Sequence, residues 1–290
     1  MEMRRNGALS LAGLPMAPAQ AAPVTCPLST SPEFVGFSQC VVQDGDAELF
    51  VLAKSDPGGG LEVFLFVDGT YQFFESYTVA EKTGPDFPDF TLLSATVDLQ
   101  ARQITTTFRE QEIGAVDASV TFTLADLGDL HEVAELVTIT SNIAGTIQGR
   151  IYGYVDFDLN GTAIDQTASG SLTKIMQTDG STEGTFEWIS GPQPNAFQVS
   201  ECCSLSDDLF TLFNLVSLNN STAQGPLDFD AAFSWDKTFT AAGQTLNIIV
   251  RKTVTVPEPG AILQLVAGGI GLAFLNKRRM RKNGRAKSTS

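Results

Sequence analysis

The sequence predicts an all-β fold, a large antiparallel β-sandwich followed by a single C-terminal transmembrane helix. Three observations carry this. From about Val24 to Val256, apolar residues come in short alternating runs separated by turn residues, the two-residue period of a strand. One pair of runs is joined by Asp68-Gly69, the dipeptide preferred by a type I′ hairpin turn. Near the C-terminus, Gly260 to Leu275 (GAILQLVAGGIGLAFL) carries no charge.

The elements follow in order. Leu61 to Val67 (LEVFLFV) and Thr70 to Val79 (TYQFFESYTV) flank the Asp-Gly turn as a hairpin. Ile104, Thr106 and Phe108 share one strand face; Val120, Phe122 and Leu124 share another, opposite Ser119, Thr121 and Thr123. Further strands are expected over Leu136 to Thr140, Gln148 to Leu159, Thr185 to Ile189, Ala231 to Trp235 and Leu246 to Val256. Phe122, Phe157, Phe186, Trp188, Phe233 and Trp235 on these faces predict two sheets packed over an aromatic core. Helical periodicity is weak. Only Leu124 to Glu135 and Leu205 to Leu218 have room for a turn or two.

At 290 residues, 43% hydrophobic and 18% charged, the composition is globular and sufficient for a substantial core. The formal charge of −15 is an average of unlike regions. Residues 30–250 hold 31 acidic and 7 basic side chains; residues 251–290 hold 9 basic side chains and one acid, Glu258. The acidic body repels phosphate polymers, which excludes a nucleic-acid role. One histidine and four cysteines leave little for zinc sites or histidine-based triads.

The basic end has its own physics. As a helix, the uncharged run is about 24 Å long against a hydrocarbon core of about 30 Å, short but within reach of snorkelling flanks. Lys277, Arg278, Arg279, Arg281 and Lys282 follow, with Arg285 and Lys287 beyond; such a cluster stays cytoplasmic and leaves the acidic body outside. Before the run stands Val256-Pro257-Glu258-Pro259-Gly260, whose two prolines hold the chain extended and accessible to a processing enzyme. This order of Pro-Glu-Pro, short apolar helix and arginine-rich end, over Val256 to Ser290, resembles the PEP-CTERM sorting signal of bacterial surface proteins, a tail also labelled an ice-binding-protein C-terminal region. The resemblance implies processing by a membrane-embedded exosortase and a link to extracellular polysaccharide. Glu135 to Thr162 and Phe229 to Ile249 are loosely similar to body domains joined to such tails.

The expected organisation is therefore a signal peptide over residues 1–21, a β-sandwich over 22–255 and a sorting signal over 256–290. Within the last, the Pro-Glu-Pro motif spans 257–259, the transmembrane helix 260–276 and the basic tail 277–287. For the signal peptide, Arg4-Arg5 supplies a positive start, Gly7 to Leu14 an apolar run and Ala19-Gln20-Ala21 a small-x-small cleavage site. The expected destination is the cell surface or extracellular space, with a membrane-anchored stage before processing.

Asp156-Phe157-Asp158-Leu159-Asn160-Gly161 matches the opening of an EF-hand calcium loop, and Asp156, Asp158, Asn160 and Asp165 are its candidate ligands. Position 12 is Thr167 rather than the bidentate glutamate. A strand with Tyr152, Tyr154, Asp156 and Asp158 on its polar face, ending in an Asn-Gly turn, explains the same residues without a metal and is the favoured reading. Asp44-Gly45-Asp46-Ala47-Glu48 reads as a solvated turn and His131 as a surface residue. Tyr152, Tyr154 and Trp188 would suit sugar stacking, though aromatics of a sandwich are more often core. Cys26, Cys40, Cys202 and Cys203 lie in the exported part, where oxidation is permitted. Two frameworks are open: Cys26 and Cys40 paired with Cys202 and Cys203, or Cys26 with Cys40 and the adjacent pair free or joined.

No nucleophile elbow or Cys-His pattern is present, and no catalytic residue is assigned. The leading expectation is a non-enzymatic structural or adhesive surface protein without a required cofactor. The second is a calcium-assisted carbohydrate-binding module acting on extracellular polysaccharide. A third, a secreted hydrolase, requires carboxylates whose pKa values are pushed apart.

Overall fold

The computed structural model describes residues 22–30, 34–55, 60–81, 90–111, 114–161, 165–202, 204–205, 209, 217–223 and 225–257. The expected signal peptide, Glu258, Pro259, the transmembrane helix, the basic tail and Cys203 lie outside them. Among the described residues no helix is long and apolar enough to cross a membrane.

The described residues form two antiparallel sheets. One has nine strands in the order β1 (Val24–Thr25), β6 (Phe90–Asp98), β7 (Gln103–Glu110), β8 (Val116–Asp126), β9 (Leu130–Ser141), β16 (Thr245–Thr255), β13 (Thr182–Ser190), β12 (Lys174–Asp179) and β11 (Thr167–Gly170). The other has seven: β14 (Ala196–Glu201), β15 (Phe229–Phe239), β10 (Ile147–Asp156), β5 (Thr70–Glu81), β4 (Leu61–Val67), β3 (Ala47–Ala53) and β2 (Ser38–Asp44). Inward side chains of both sheets merge into one core, which makes the body an all-β sandwich.

The local reasons are those of the alternation. In β4 each odd-numbered residue from Leu61 to Val67 is buried. The β4–β5 turn has Asp68 at φ 50° and Gly69 at φ 71°, both in the left-handed region that a type I′ turn requires. Phe122, Phe157, Phe186, Phe233 and Trp235 are buried, whereas Trp188 is only partly so. Phe186 and Phe233 pack across the sheets with centroids 4.6 Å apart, and Phe73 meets Phe157 edge-on at 5.7 Å. Gly184 makes room for this last pair: a Cβ there would stand 2.6 Å from the Phe157 ring.

Several expectations are corrected. Leu124 to Glu135 is not helical; it is the β8–β9 hairpin, whose turn is closed by the Leu127 amide donating to the Leu130 carbonyl at 2.9 Å. His131 is 1% exposed rather than on the surface, because in β9 it shares the inward face with Val133 and Val137. Its Nδ1 lies 3.4 Å from Asp126 Oδ1 and 3.7 Å from Asp46 Oδ1. The acidic turn after β2 is likewise docked rather than simply solvated. Asp44 accepts from the Asp126 amide at 2.9 Å and pairs with Arg102 at 2.9 Å, locking the β2–β3 and β8–β9 turns together.

Cys26 and Cys40 are joined to each other. The Leu28–Ser38 bridge and the bond from the Gln39 amide to the Pro27 carbonyl lay the N-terminal strip antiparallel to β2, bringing the two Cα atoms to 5.1 Å. That excludes the framework in which they reach Cys202 and Cys203. Cys202 is itself disulfide-bonded.

Candidate functional site

The outer face of the seven-stranded sheet carries a row of aromatic rings ending in a group of carboxylates. Outward residues on β3, β4, β5 and β10 supply the row. Phe50 meets Phe64 at 6.3 Å, Phe64 meets Phe74 at 5.4 Å and Tyr71 at 6.3 Å, Phe66 meets Tyr71 at 5.7 Å, and Phe74 meets Tyr154 at 6.1 Å. Phe50, Phe64, Phe66, Tyr71 and Phe74 are all half-buried, so ring surface reaches solvent. The β4–β5 register shift between Leu65 and Phe66 sets Tyr71 opposite Phe66, keeping its ring in the row.

Tyr152 and Tyr154 share that outer face but are buried, packed with Leu205, Leu209, Leu218 and Ala232. They are covered core residues rather than a stacking surface, and Trp188 belongs to the other sheet. The row was missed in the sequence because it depends on strand neighbours. Its signal is present, however: Phe50 alternates with Leu49 and Val51, and Phe64 and Phe66 with Val63, Leu65 and Val67, so both faces of β3 and β4 are apolar.

The carboxylates gather where β10 ends and β15 begins. Antiparallel register sets Asp156 opposite Asp230, with Asp228 two residues before it. The Cys202 amide donates to the Asp228 carbonyl at 3.0 Å, and Asp230 accepts from the Leu205 amide at 3.1 Å. Asp158 follows Asp156 in a short 3-10 turn over Leu159–Gly161, held by the Gly161 amide donating to its carbonyl at 2.8 Å. A buried glutamine pair fixes this corner. Gln166 Nε2 donates to the Phe157 carbonyl at 2.7 Å, and Gln177 Nε2 donates to Gln166 Oε1 and the Phe229 carbonyl, each at 3.0 Å.

Crowding sets the electrostatics. Burial, then the charges of Asp158, Asp228 and Asp230, pushes the Asp156 carboxyl up to about 8. Burial and Asp228 push Asp158 up to about 6, and burial raises Asp228. Burial, with Asp158 and Asp156 behind it, raises the Tyr71 phenol as well, which ties the ring row to the acid group. Buried Oδ1 atoms of Asp156 and Asp228 have no hydrogen-bond partner among the described residues.

Of the sequence-derived calcium ligands, Asp156 and Asp158 are together here. Asn160 is engaged elsewhere: its amide nitrogen donates to Asp179 Oδ2 at 3.1 Å and its oxygen accepts from Thr182 at 2.8 Å. Asp165 is exposed, and the structure assigns it no place in the group. Ligand atoms of Asp156, Asp228 and Cys202 lie within 4.8 Å of one another. Cys202, being oxidised, offers no thiolate and has no proton for Asp156 Oδ2 at 3.7 Å, so only carboxylate oxygens can serve a cation, the donor set of a hard one. Asp228 and Asp230, some 70 residues from Asp156, carried no local signal.

No family model matches the chain, and no curated protein matches it. Solved structures similar to it include a heparan sulfate lyase HepC mutant from Pedobacter heparinus (8% identity, TM-score 0.45, 77% of this chain and 35% of that one). A bacterial glucoamylase complexed with acarbose (8%, 0.44, 76% and 32%) and heparinase III (9%, 0.40, 72% and 36%) are others. The chain thus spans about a third of the length of these solved chains. All are enzymes, which runs against the expectation of a non-enzymatic body, and that expectation is withdrawn; at such identity and TM-score neither activity nor substrate is taken from them.

Proposed function

We propose that this chain is an exported cell-surface or extracellular-matrix protein, sorted through its C-terminal tail, whose sandwich body engages extracellular polysaccharide along the aromatic row. The row is the observation that carries the reading. Half-buried rings on adjacent strands offer apolar faces to sugar C–H surfaces, and the carboxylates at its end accept hydrogen bonds from hydroxyls. The supported address is the cell exterior, with an exosortase-type enzyme as processing partner and the membrane as a transient anchor. Its support is the order of Pro257-Glu258-Pro259, apolar run and basic cluster. A glycan array probed with the purified full chain tests the body, with retention of one polysaccharide class expected and binding to none overturning the reading. Replacing Pro257, Glu258 and Pro259 by alanine tests the address: a full-length membrane form should accumulate, and unchanged release would refute the sorting assignment.

A calcium-assisted form of this contact is favoured by the unpartnered Oδ1 atoms of Asp156 and Asp228. These two and Asp158 are the residues that would hold the ion. Calorimetric titration of the full chain with calcium chloride should give measurable heat; none at millimolar calcium ends this form.

A further inference from the structure

Between the two sheets, on the inward face of the seven-stranded one, three ionisable side chains meet almost completely buried. Lys252 of β16, Glu75 of β5 and Glu135 of β9 are 0%, 0% and 1% exposed. Lys252 Nζ stands 2.5 Å from Glu135 Oε1 and is also in close contact with Glu75 Oε1. The Phe186 ring covers the ammonium from 4.5 Å. Lys252 and Glu135 come from the nine-stranded sheet and Glu75 from the seven-stranded one, where buried Val63 and Val155 flank it in register.

Placing two carboxyl groups and an ammonium in an apolar core is costly, and a non-covalent triad recovers that cost only in part. The same placement suits condensation. The amine and one carboxyl are held in contact, which gives the high effective concentration of an intramolecular reaction. Apolar side chains and a ring keep out the water that would reverse it. A second carboxylate stands within reach of the nitrogen to move protons. We propose that Lys252 and Glu75 form an internal isopeptide cross-link between the two sheets, with Glu135 as the residue that shuttles the protons.

The step balances without an oxidant or reductant. The Lys252 ammonium gives a proton to the Glu135 carboxylate, and the neutral Nζ attacks Cδ of the protonated Glu75 carboxyl. In the tetrahedral adduct, Glu135 takes the second proton from nitrogen and delivers one to the departing hydroxyl. The Cδ–O bond breaks, the Nζ–Cδ amide remains, one water leaves and Glu135 ends protonated. An ion pair is exchanged for a neutral amide, which relieves the charge burial. Burial, followed by the Glu135 charge, holds the Glu75 carboxyl well above the ordinary glutamate range, in the protonated form that can expel water.

The cross-link joins residues 177 positions apart (252 less 75) and fastens β16, the last strand among the described residues, to the opposite sheet. It does not depend on the polysaccharide reading. Mass spectrometry of the full chain, reduced and denatured, decides it. The expected mass is one water lower than that of the chain as mapped at its ends, with a branched tryptic peptide joining the Glu75 and Lys252 segments. Linear peptides with both side chains unmodified in folded protein would overturn it. Lys252→Met should abolish the branched peptide. Glu135→Gln, close in shape, should leave the chain unjoined; a complete cross-link in that variant would overturn the role given to Glu135.

Discussion

Replacing Asp156 by asparagine should stabilise the body near neutral pH and leave it unchanged in acid. Asp156 titrates at about 8 in the folded chain, against about 3.9 in an unfolded one. Its folded value is raised, so the native state holds the extra proton between these limits. Its contribution is fully present below about pH 4 and is lost as pH rises through 8. At pH 7 the unfolded carboxyl is ionised and the native one mostly is not, a gap of about 3 pH units or about 4 kcal/mol. Asp156 is not fully buried, and solvent screening brings the usable figure to about 2–3 kcal/mol. Asparagine keeps the shape without the charge, and its amide can donate to the neighbouring carboxylates. Urea unfolding of both proteins in EDTA at pH 4, 6 and 8 measures the difference. The gain should be near zero at pH 4 and about 3–4 kcal/mol at pH 8, where the gap is about 4 pH units and the same screening applies. An equal difference at both ends, or a loss at pH 8, would refute the electrostatic account of this corner.

Three other changes report on separate parts of the structure. Gly184→Ala pushes a methyl into the Phe157 ring and should cost about 1–3 kcal/mol in urea unfolding, relieved in part by Phe157→Leu. Replacing Cys26 and Cys40 by serine opens a closed loop of 14-residue separation and should cost about 3 kcal/mol, read in the same assay. Calcium must displace protons from the corner, so its thermal stabilisation should be larger at pH 8 than at pH 5, and a reversed order would exclude binding there.

Strands β4, β5, β7, β8, β9, β10, β13, β15 and β16 were legible in whole or part by their alternation. By contrast β1, β2, β3, β6, β11, β12 and β14 went unnamed, several being short or, like β6, irregular in burial. The Asp68-Gly69 turn was legible because its backbone angles need that dipeptide. His131 misled through its polar neighbours Asp129 and Glu132; its two-residue spacing from Val133 was the better guide. Lys252 carries the same kind of signal, since it shares an inward face with Ile248, Val250 and Val254. Asp156 and Asp158 stood out as a motif, but Asp228 became visible only through the β10–β15 register, and Asn160 was drawn away by Thr182. Partners of this kind are set by tertiary register, which a local pattern does not encode.

If the body meets polysaccharide along the aromatic row, removing a ring weakens binding while the fold stays intact. Titrating wild-type, Phe64→Ala and Tyr71→Ala full chains with the polysaccharide retained on the array, with circular dichroism to verify folding, tests it most directly. Loss of a stacking ring should weaken binding about tenfold in each variant, equivalent to about 1.4 kcal/mol. Unchanged affinity in both folded variants would contradict the account.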